Sequence, residues 1–383
     1  MTFFTTFLRT LTISALFVGA AGAAHAVDTP AKQALVYDFE TGTVLLSKNA
    51  DEQMPPSSMS KLMTVLMVFD RLKEGSLSLD DTFGVSKKAW QMGGSKMFVL
   101  VDNEVRVEDL LRGIIIQSGN DACVVVAEGL SGTEEEFADA MNLRAKELGL
   151  KDSHFTNATG WPDPNHYVTA RDLGRLAHHL IEDYPDHYHY FGEKEFTWAD
   201  ITQPNRNPLL YRDLGADGLK TGHTEAAGYG LVGSAKQGDR RVILVVNGLT
   251  SVRERSRESA RLIEWAFREF KNVDMFSAGE KVVDANVWLG SKPTVPLVLA
   301  QDLKLTLSRQ AQRKMKVTAR YDEPIAAPFD AGTQVGELVI TGPDMEEVTV
   351  PLLAGETIGQ LGAFGRIKAA IGYLLWGAQT NAE

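Results

Sequence analysis

Three short groups of residues in this 383-residue chain could do chemistry together: Ser58-Met59-Ser60-Lys61, Ser118-Gly119-Asn120 and Lys220-Thr221-Gly222. A serine and a lysine three positions apart at a helix start share a face, so the amine can reach the hydroxyl. A neutral amine there is a base for a serine, which is a weak nucleophile until its proton is taken. A free lysine keeps its proton to about pH 10.4, so bringing it near neutrality needs about 4 kcal/mol of destabilisation of its cation. Burial of the amine would do this, as would a second cation such as Lys220 if the fold brings it close. Helix-start N–H groups also favour the oxyanion that forms at an attacked carbonyl. Singly, each group has a plainer reading. S-x-x-K turns up about once by chance at ordinary composition, Ser118-Gly119-Asn120 fits an inter-helix turn, and Lys220-Thr221-Gly222 fits a strand edge. Together, each on the element its chemistry needs, they point to covalent acyl transfer.

Those elements are read from periodicity. Residues 34–38 and 43–47 are apolar arms around a Glu40-Thr41-Gly42 turn and predict a β-hairpin. After Pro55-Pro56, the recurrence of Leu62, Val65, Leu66 and Phe69 predicts a helix starting at Ser58. Residues 107–128 predict two helices broken at Gln117-Ser118-Gly119-Asn120, so Ser118 and Asn120 would project from a turn into a cleft. Residues 169–181 predict a helix with Thr169 as its N-cap. Lys220 is expected to begin a strand in which Gly222 permits close backbone approach. Residues 230–235 and 241–247 predict a hairpin about Gln237-Gly238-Asp239. Residues 256–270 predict a helix with Leu262, Ile263, Ala266, Phe267 and Phe270 on one side. Its charges would pair as Glu254–Arg257 and Glu258–Arg261 on a solvated face. Gly93-Gly94-Ser95-Lys96 reads either as a loop at a cleft rim or as a plain turn. From a boundary near Asn272 to Ser277, short strands at 281–289, 303–307, 314–321, 334–340 and 347–352 predict a small all-β module.

Composition excludes several classes. At 44% hydrophobic and 23% charged residues the chain can build ordinary cores. Its 39 basic against 50 acidic residues, net −11, run against a duplex nucleic-acid footprint. The single cysteine, Cys123, rules out an intramolecular disulfide and a thiolate-rich zinc site, and its apolar surroundings predict a buried small residue. The histidines show no metal-ligand spacing, so no metal and no cofactor is expected. At the front, Arg9, an apolar run over 11–23 and Ala24-His25-Ala26 read as a cleavable export signal over 1–26. That run is shorter than the ~20 residues of a membrane span. At the back, from Gly355, Ile358, Leu361, Phe364, Ile367, Ile371, Leu374 and Leu375 recur at helical spacing with Trp376 beside them. They predict an amphipathic helix over 355–383 lying in a membrane interface, held mainly by apolar burial.

The three groups are the acyl-transfer signature shared by class A β-lactamases and penicillin-binding proteins. The chain resembles the low-molecular-mass penicillin-binding proteins, serine-type D-alanyl-D-alanine carboxypeptidases. The resemblance is carried by residues 56–64, 118–123, 166–172, 205–210 and 217–224, and it runs from about residue 34 to 270. The middle group is S-G-N rather than S-D-N, which is more similar to the carboxypeptidases than to class A β-lactamases. The resemblance implies an α/β, transpeptidase-like domain over 27–272, with an antiparallel sheet flanked by helices plus a helical part. A small all-β domain over 273–354 and a C-terminal amphipathic helix would follow.

It also implies roles. Ser58 would be the nucleophile that forms an acyl-enzyme with the penultimate D-alanine, and Lys61 its base. Ser118 would relay the proton to the leaving amine, and Asn120 would hold the peptide backbone. Lys220, Thr221, Thr224 and Arg206 would bind the terminal carboxylate, with Gly222 admitting the strand. The N–H groups of Ser58 and His223 would form the oxyanion hole. The implied partners are a peptidoglycan stem peptide, β-lactams as covalent inhibitors, and a membrane surface on the periplasmic face of the inner membrane. A class A β-lactamase would place a glutamate in an E-x-x-L-N loop, and residues 157–165 contain none. A D,D-endopeptidase would use the same residues. A non-catalytic wall-binding protein would have no need to keep them all.

Overall fold

The computed structural model describes residues 27–363 together with Gly365 and Ile367. The expected leader over 1–26 and nearly all of the expected terminal helix lie outside these residues. The first hairpin forms from its two apolar arms, β1 (Gln33–Asp38), buried along its whole length, and β2 (Val44–Lys48). A 3₁₀ turn, Ser57–Ser60, then leads into α1 (Lys61–Lys73). Ser58 therefore sits in the tighter turn ahead of the α-helix, not at the α-helix start its spacing predicts. Beyond β3 (Thr82–Gly84), α2 (Lys87–Gln91) and β4 (Glu104–Arg106) comes a helical part: α3 (Val107–Ile115), α4 (Asn120–Ser131), α5 (Glu134–Glu147) and α6 (Ala170–Glu182). The break between α3 and α4 falls where the turn formers put it. Thr169 caps α6 by accepting from the Asp172 N–H. A small hairpin, β5 (Glu195–Trp198) and β6 (Ile201–Pro204), precedes β7 (Ala216–Thr224), β8 (Gly228–Gln237), β9 (Arg240–Leu249) and α7 (Val252–Glu269).

The antiparallel sheet runs β2-β1-β9-β8-β7. Its period of two builds both cores at once. Ile243 and Val245 of β9 join α1, α3, α4 and α6 on one face, whereas Val242, Leu244 and Val246 join Leu262, Ile263 and Ala266 of α7 on the other. The result is a helix–sheet–helix sandwich.

Three expectations are corrected here. β7 starts at Ala216, so Lys220 lies in mid-strand, because residues 216–219 already pair with β8. Helix α7 starts at Val252, capped by Ser251. Glu258, which the charge pattern assigns to a solvated face, is buried, and so is Arg255, which lies where the start of the helix meets β7 and β8. Glu258 does pair with Arg261 at 2.6 Å, but Glu254 turns to the Thr250 N–H at 2.7 Å.

The second module begins two residues ahead of the expected boundary, with β10 (Phe270–Phe276). It continues through β11 (Lys281–Trp288), β12 (Thr294–Val298), β13 (Leu303–Ser308), α8 (Arg309–Lys314), β14 (Lys316–Tyr321), β15 (Ile325–Ala326), β16 (Gln334–Thr341) and β17 (Val348–Ala354). β10 pairs with β13, and the rest form a six-stranded sheet, β14-β16-β17-β12-β11-β15. Strands β10, β12 and β15 are additions to the five predicted; Pro293 and Pro296 mask β12 in the sequence.

The chain beyond β17 stays with this module further than its pattern suggests. Gly355 N–H donates to Pro296 O, Ile358 is fully buried against Phe329, and Leu361 N–H donates to Leu289 O. Residues 355–361 are therefore module and not anchor. A buried polar joint ties the module to the catalytic sheet. Asp38 accepts from Arg240 Nε at 2.7 Å and Asn272 Nδ2 at 3.0 Å, and Arg240 also reaches the Ala266 and Phe270 carbonyls.

Candidate active site

Lys61 is the first residue of α1 and is fully buried. Its Nζ lies 2.9 Å from Ser58 Oγ, 2.7 Å from Asn120 Oδ1 and 2.6 Å from the Thr159 carbonyl oxygen. As an ammonium it would donate all three protons. As a neutral amine it has two N–H groups for Asn120 and Thr159, and its lone pair is left facing the Ser58 hydroxyl. The spacing that predicts contact between Ser58 and Lys61 thus holds, with a 3₁₀ turn supplying it.

The turn is wedged from two sides. Ser57 adopts φ +45°. Gly222 of β7 packs on it so closely that a Cβ would stand 2.8 Å from Ser57 Oγ and 3.0 Å from the Pro56 carbonyl oxygen. Gly160, at φ +78°, lies on the Ser57 carbonyl, where a Cβ would come within 1.8 Å of the oxygen. Only glycine fits either place.

Lys220 projects from the middle of β7, buried, with Nζ 3.0 Å from Ser118 Oγ and 3.2 Å from the Thr221 carbonyl oxygen. Ser118 is held at φ +58° on the turn between α3 and α4, a strained placement for a non-glycine residue. Asn120 opens α4 and faces both ways. Its Oδ1 meets Lys61, while its Nδ2 donates to Gly93 O at 2.9 Å and its N–H to Ser95 O at 2.8 Å. Asp121 next to it accepts from the N–H groups of Met97, Phe98 and Val99. The Gly93-Gly94-Ser95-Lys96 segment is therefore a strap bonded along the cleft, which settles its open reading.

Complete burial pulls Lys61 down from 10.5 to about 8, with the Arg206 guanidinium adding to the effect and Asp121 opposing it. The charge expected beside it from the sequence is that of Lys220. Cys123, pushed up to about 12 by burial, stays a neutral thiol and gives Lys61 no counter-charge. Lys220 is lowered well below the usual lysine value by burial first, then by Lys61 and Arg206. Burial and the two neighbouring cations thus all work against the charged form of Lys220.

The remaining expected residues stand at the edges. Arg206 reaches across to the strap, with Nη1 2.6 Å from Ser95 Oγ. Thr221 is buried beside Lys220. Thr224 Oγ1 accepts the Ala227 N–H and closes the turn after β7. The exposed His223 ring stacks on Tyr229 at 3.9 Å.

Two participants escape sequence reasoning. The Thr159 carbonyl is a backbone group and leaves no trace in residue type. Arg255, buried beneath β7 with Nη1 3.5 Å from the Gly222 and Gly230 carbonyls, looks in sequence like one more charge on an exposed helix. Burial lowers it to about 10, and it adds fixed positive charge below the strand. Among the described residues no group of three His, Cys, Asp or Glu side chains could hold a metal ion.

Known proteins resemble this chain over most of its length. The family described as D-alanyl-D-alanine carboxypeptidase matches residues 20–251, and the C-terminal domain of penicillin-binding protein 5 matches 270–360. The D-alanyl-D-alanine carboxypeptidase DacC of Escherichia coli K12 is 38% identical over 385 residues, 96% of each chain. Penicillin-binding protein 5 of Haemophilus influenzae superposes with a TM-score of 0.75 at 35% identity, over 88% of this chain and all of that one. Penicillin-binding protein D2 of Listeria monocytogenes, solved with ampicillin bound, has a TM-score of 0.57 at 30% identity over 62% of this chain and 97% of that one. On these matches the chain belongs to the D-alanyl-D-alanine carboxypeptidase family of serine peptidases.

Proposed function

We propose that this protein is a serine-type D-alanyl-D-alanine carboxypeptidase, which removes the terminal D-alanine from peptidoglycan pentapeptides through an acyl-enzyme on Ser58. The observation that carries the reading is the buried Lys61 amine 2.9 Å from Ser58 Oγ. Its neutral form takes the hydroxyl proton as Oγ attacks the penultimate D-alanine carbonyl. The carbonyl electrons move onto oxygen, and the N–H groups of Ser58 and His223 stabilise that charge. Collapse breaks the C–N bond and expels D-alanine, whose amine takes a proton through Ser118, itself bonded to Lys220. Water then hydrolyses the ester and frees the shortened peptide. Lys220, Thr221, Thr224 and Arg206 supply the positive, hydrogen-bonding pole for the terminal carboxylate. Asn120 aligns the peptide, and Gly222 lets β7 stand close enough to Ser58 for all of this.

A β-lactam enters the same sequence but leaves no departing amine, so its acyl-enzyme persists. Intact mass after incubation with penicillin, together with assay of D-alanine release from a peptide ending in D-alanyl-D-alanine, tests the reading. One stable adduct and free D-alanine are expected. Rapid penicillin turnover would make it a β-lactamase, and no adduct would make it a binding protein.

The setting is part of the proposal. Export by the 1–26 signal would deliver the protein to the periplasmic face of the inner membrane, with its C-terminal segment in the interface. The Ala24-His25-Ala26 site and the apolar stripe with Trp376 support it. No helix among the described residues is long and apolar enough to cross a membrane.

A further inference from the structure

Trp161 takes no part in the steps above, yet its setting is unusual for a surface residue. Its side chain is 47% exposed while its backbone is held on both sides. The N–H donates to Asn157 Oδ1 and to Thr159 Oγ1, both at 3.0 Å, and the carbonyl accepts from Asn157 Nδ2 at 3.0 Å. The same loop presents the Thr159 carbonyl to Lys61. The indole edge lies on the glycine strap. A Cβ on Gly94 would come within 3.2 Å of the ring and 2.8 Å of Asn120 Nδ2, so one glycine separates the indole from the amide that aligns the substrate. An exposed aromatic normally loses little by moving; this one is fixed beside the catalytic amine.

What meets it follows from the direction of the substrate, so the inference rests on the carboxypeptidase reading. The terminal carboxylate lies toward Lys220 and Thr221 on β7. Ser58 stands on a turn wedged between β7 and the Trp161 loop. The peptide on the N-terminal side of the scissile bond therefore leaves the cleft past Asn120, the strap and Trp161. We propose that Trp161 determines specificity for the residue preceding the D-alanyl-D-alanine pair, its indole forming a platform for a long aliphatic side chain. A rigid ring loses little entropy on contact, and methylene groups laid on it leave water on both sides.

The test compares the full-length protein with Trp161→Ala and Trp161→Phe on two peptides. One carries Nα,Nε-diacetyl-L-lysine before D-alanyl-D-alanine, and the other carries N-acetylglycine there. The preference for the lysyl peptide, as a ratio of kcat/KM values, should fall about ten-fold in Trp161→Ala, in KM rather than kcat. Trp161→Phe should regain most of it. An equal loss on both peptides, or none, with an active parent protein would overturn the platform and leave the carboxypeptidase reading standing. A parent inactive on both peptides would sink that reading and this inference together.

Discussion

A lysine serves as a base only where its surroundings make the charged form the costly one, and Lys61 is in such a place. With its value near 8, about one amine in ten is neutral at pH 7. Penicillin acylation should therefore climb up to ten-fold per pH unit at first and level off above about pH 8. A rate that stays flat from pH 6 to 9 would remove Lys61 as the base. Lys61→Arg keeps the charge but cannot deprotonate, so acylation should drop by about 10²–10⁴-fold. Ser58→Ala should lose both the penicillin adduct and D-alanine release while the thermal transition stays in place; an adduct surviving in that variant would put the nucleophile elsewhere. The residue types at this site were legible in the sequence because chemistry dictates them.

At the scale of elements, the hairpin of β1 and β2, the α3–α4 break and the Thr169 cap follow from apolar arms about a turn, turn formers and capping. These are local rules. Other features depend on partners distant in sequence. Ser58 lies in a 3₁₀ turn because β7 and the 157–161 loop press on it. Arg255 is buried because α7 starts one turn early against β7 and β8, which its own charge pattern could not reveal. β12 is a strand despite its prolines because the sheet surrounds it. The glycine contacts give a prediction at this scale. Gly222→Ala forces a methyl group against Ser57 Oγ and the Pro56 carbonyl. It should destabilise the protein by about 1–3 kcal/mol and slow acylation with it. A wild-type melting temperature together with a wild-type acylation rate would show that the wedge has slack.

For the whole molecule, the division of labour at the C-terminus changes how the anchor must be tested. The sequence pattern places the break near Gly355, yet a chain ending near Leu353 would lose Ala354 and Ile358, both from the module's core. Ending the chain at Gly362 keeps them. That shorter protein should stay in solution and remain active on a small peptide, whereas the full chain should float with lipid vesicles. The attachment should survive high salt, since only Arg366 and Lys368 are basic beyond the cut. Equal flotation of the two forms would eliminate the terminal segment as the anchor.

The buried amine pair also makes this an enzyme whose folding releases protons. In the unfolded chain Lys61 would hold its proton to about pH 10.4, whereas in the folded chain it lets go near 8. Between those values the unfolded state binds more protons, so rising pH favours the fold, by as much as about 3 kcal/mol from Lys61 alone. Below pH 8 that gain is absent and the native state carries the strain of a desolvated cation. Removing the amine, as in Lys61→Met, should flatten the rise of melting temperature between pH 8 and 10. An unaltered slope would mean that Lys61 keeps an ordinary affinity for its proton. Near neutrality the Lys61 amine weakens the scaffold that holds it, and a carboxylate bound beside the buried cations should offset part of that weakness.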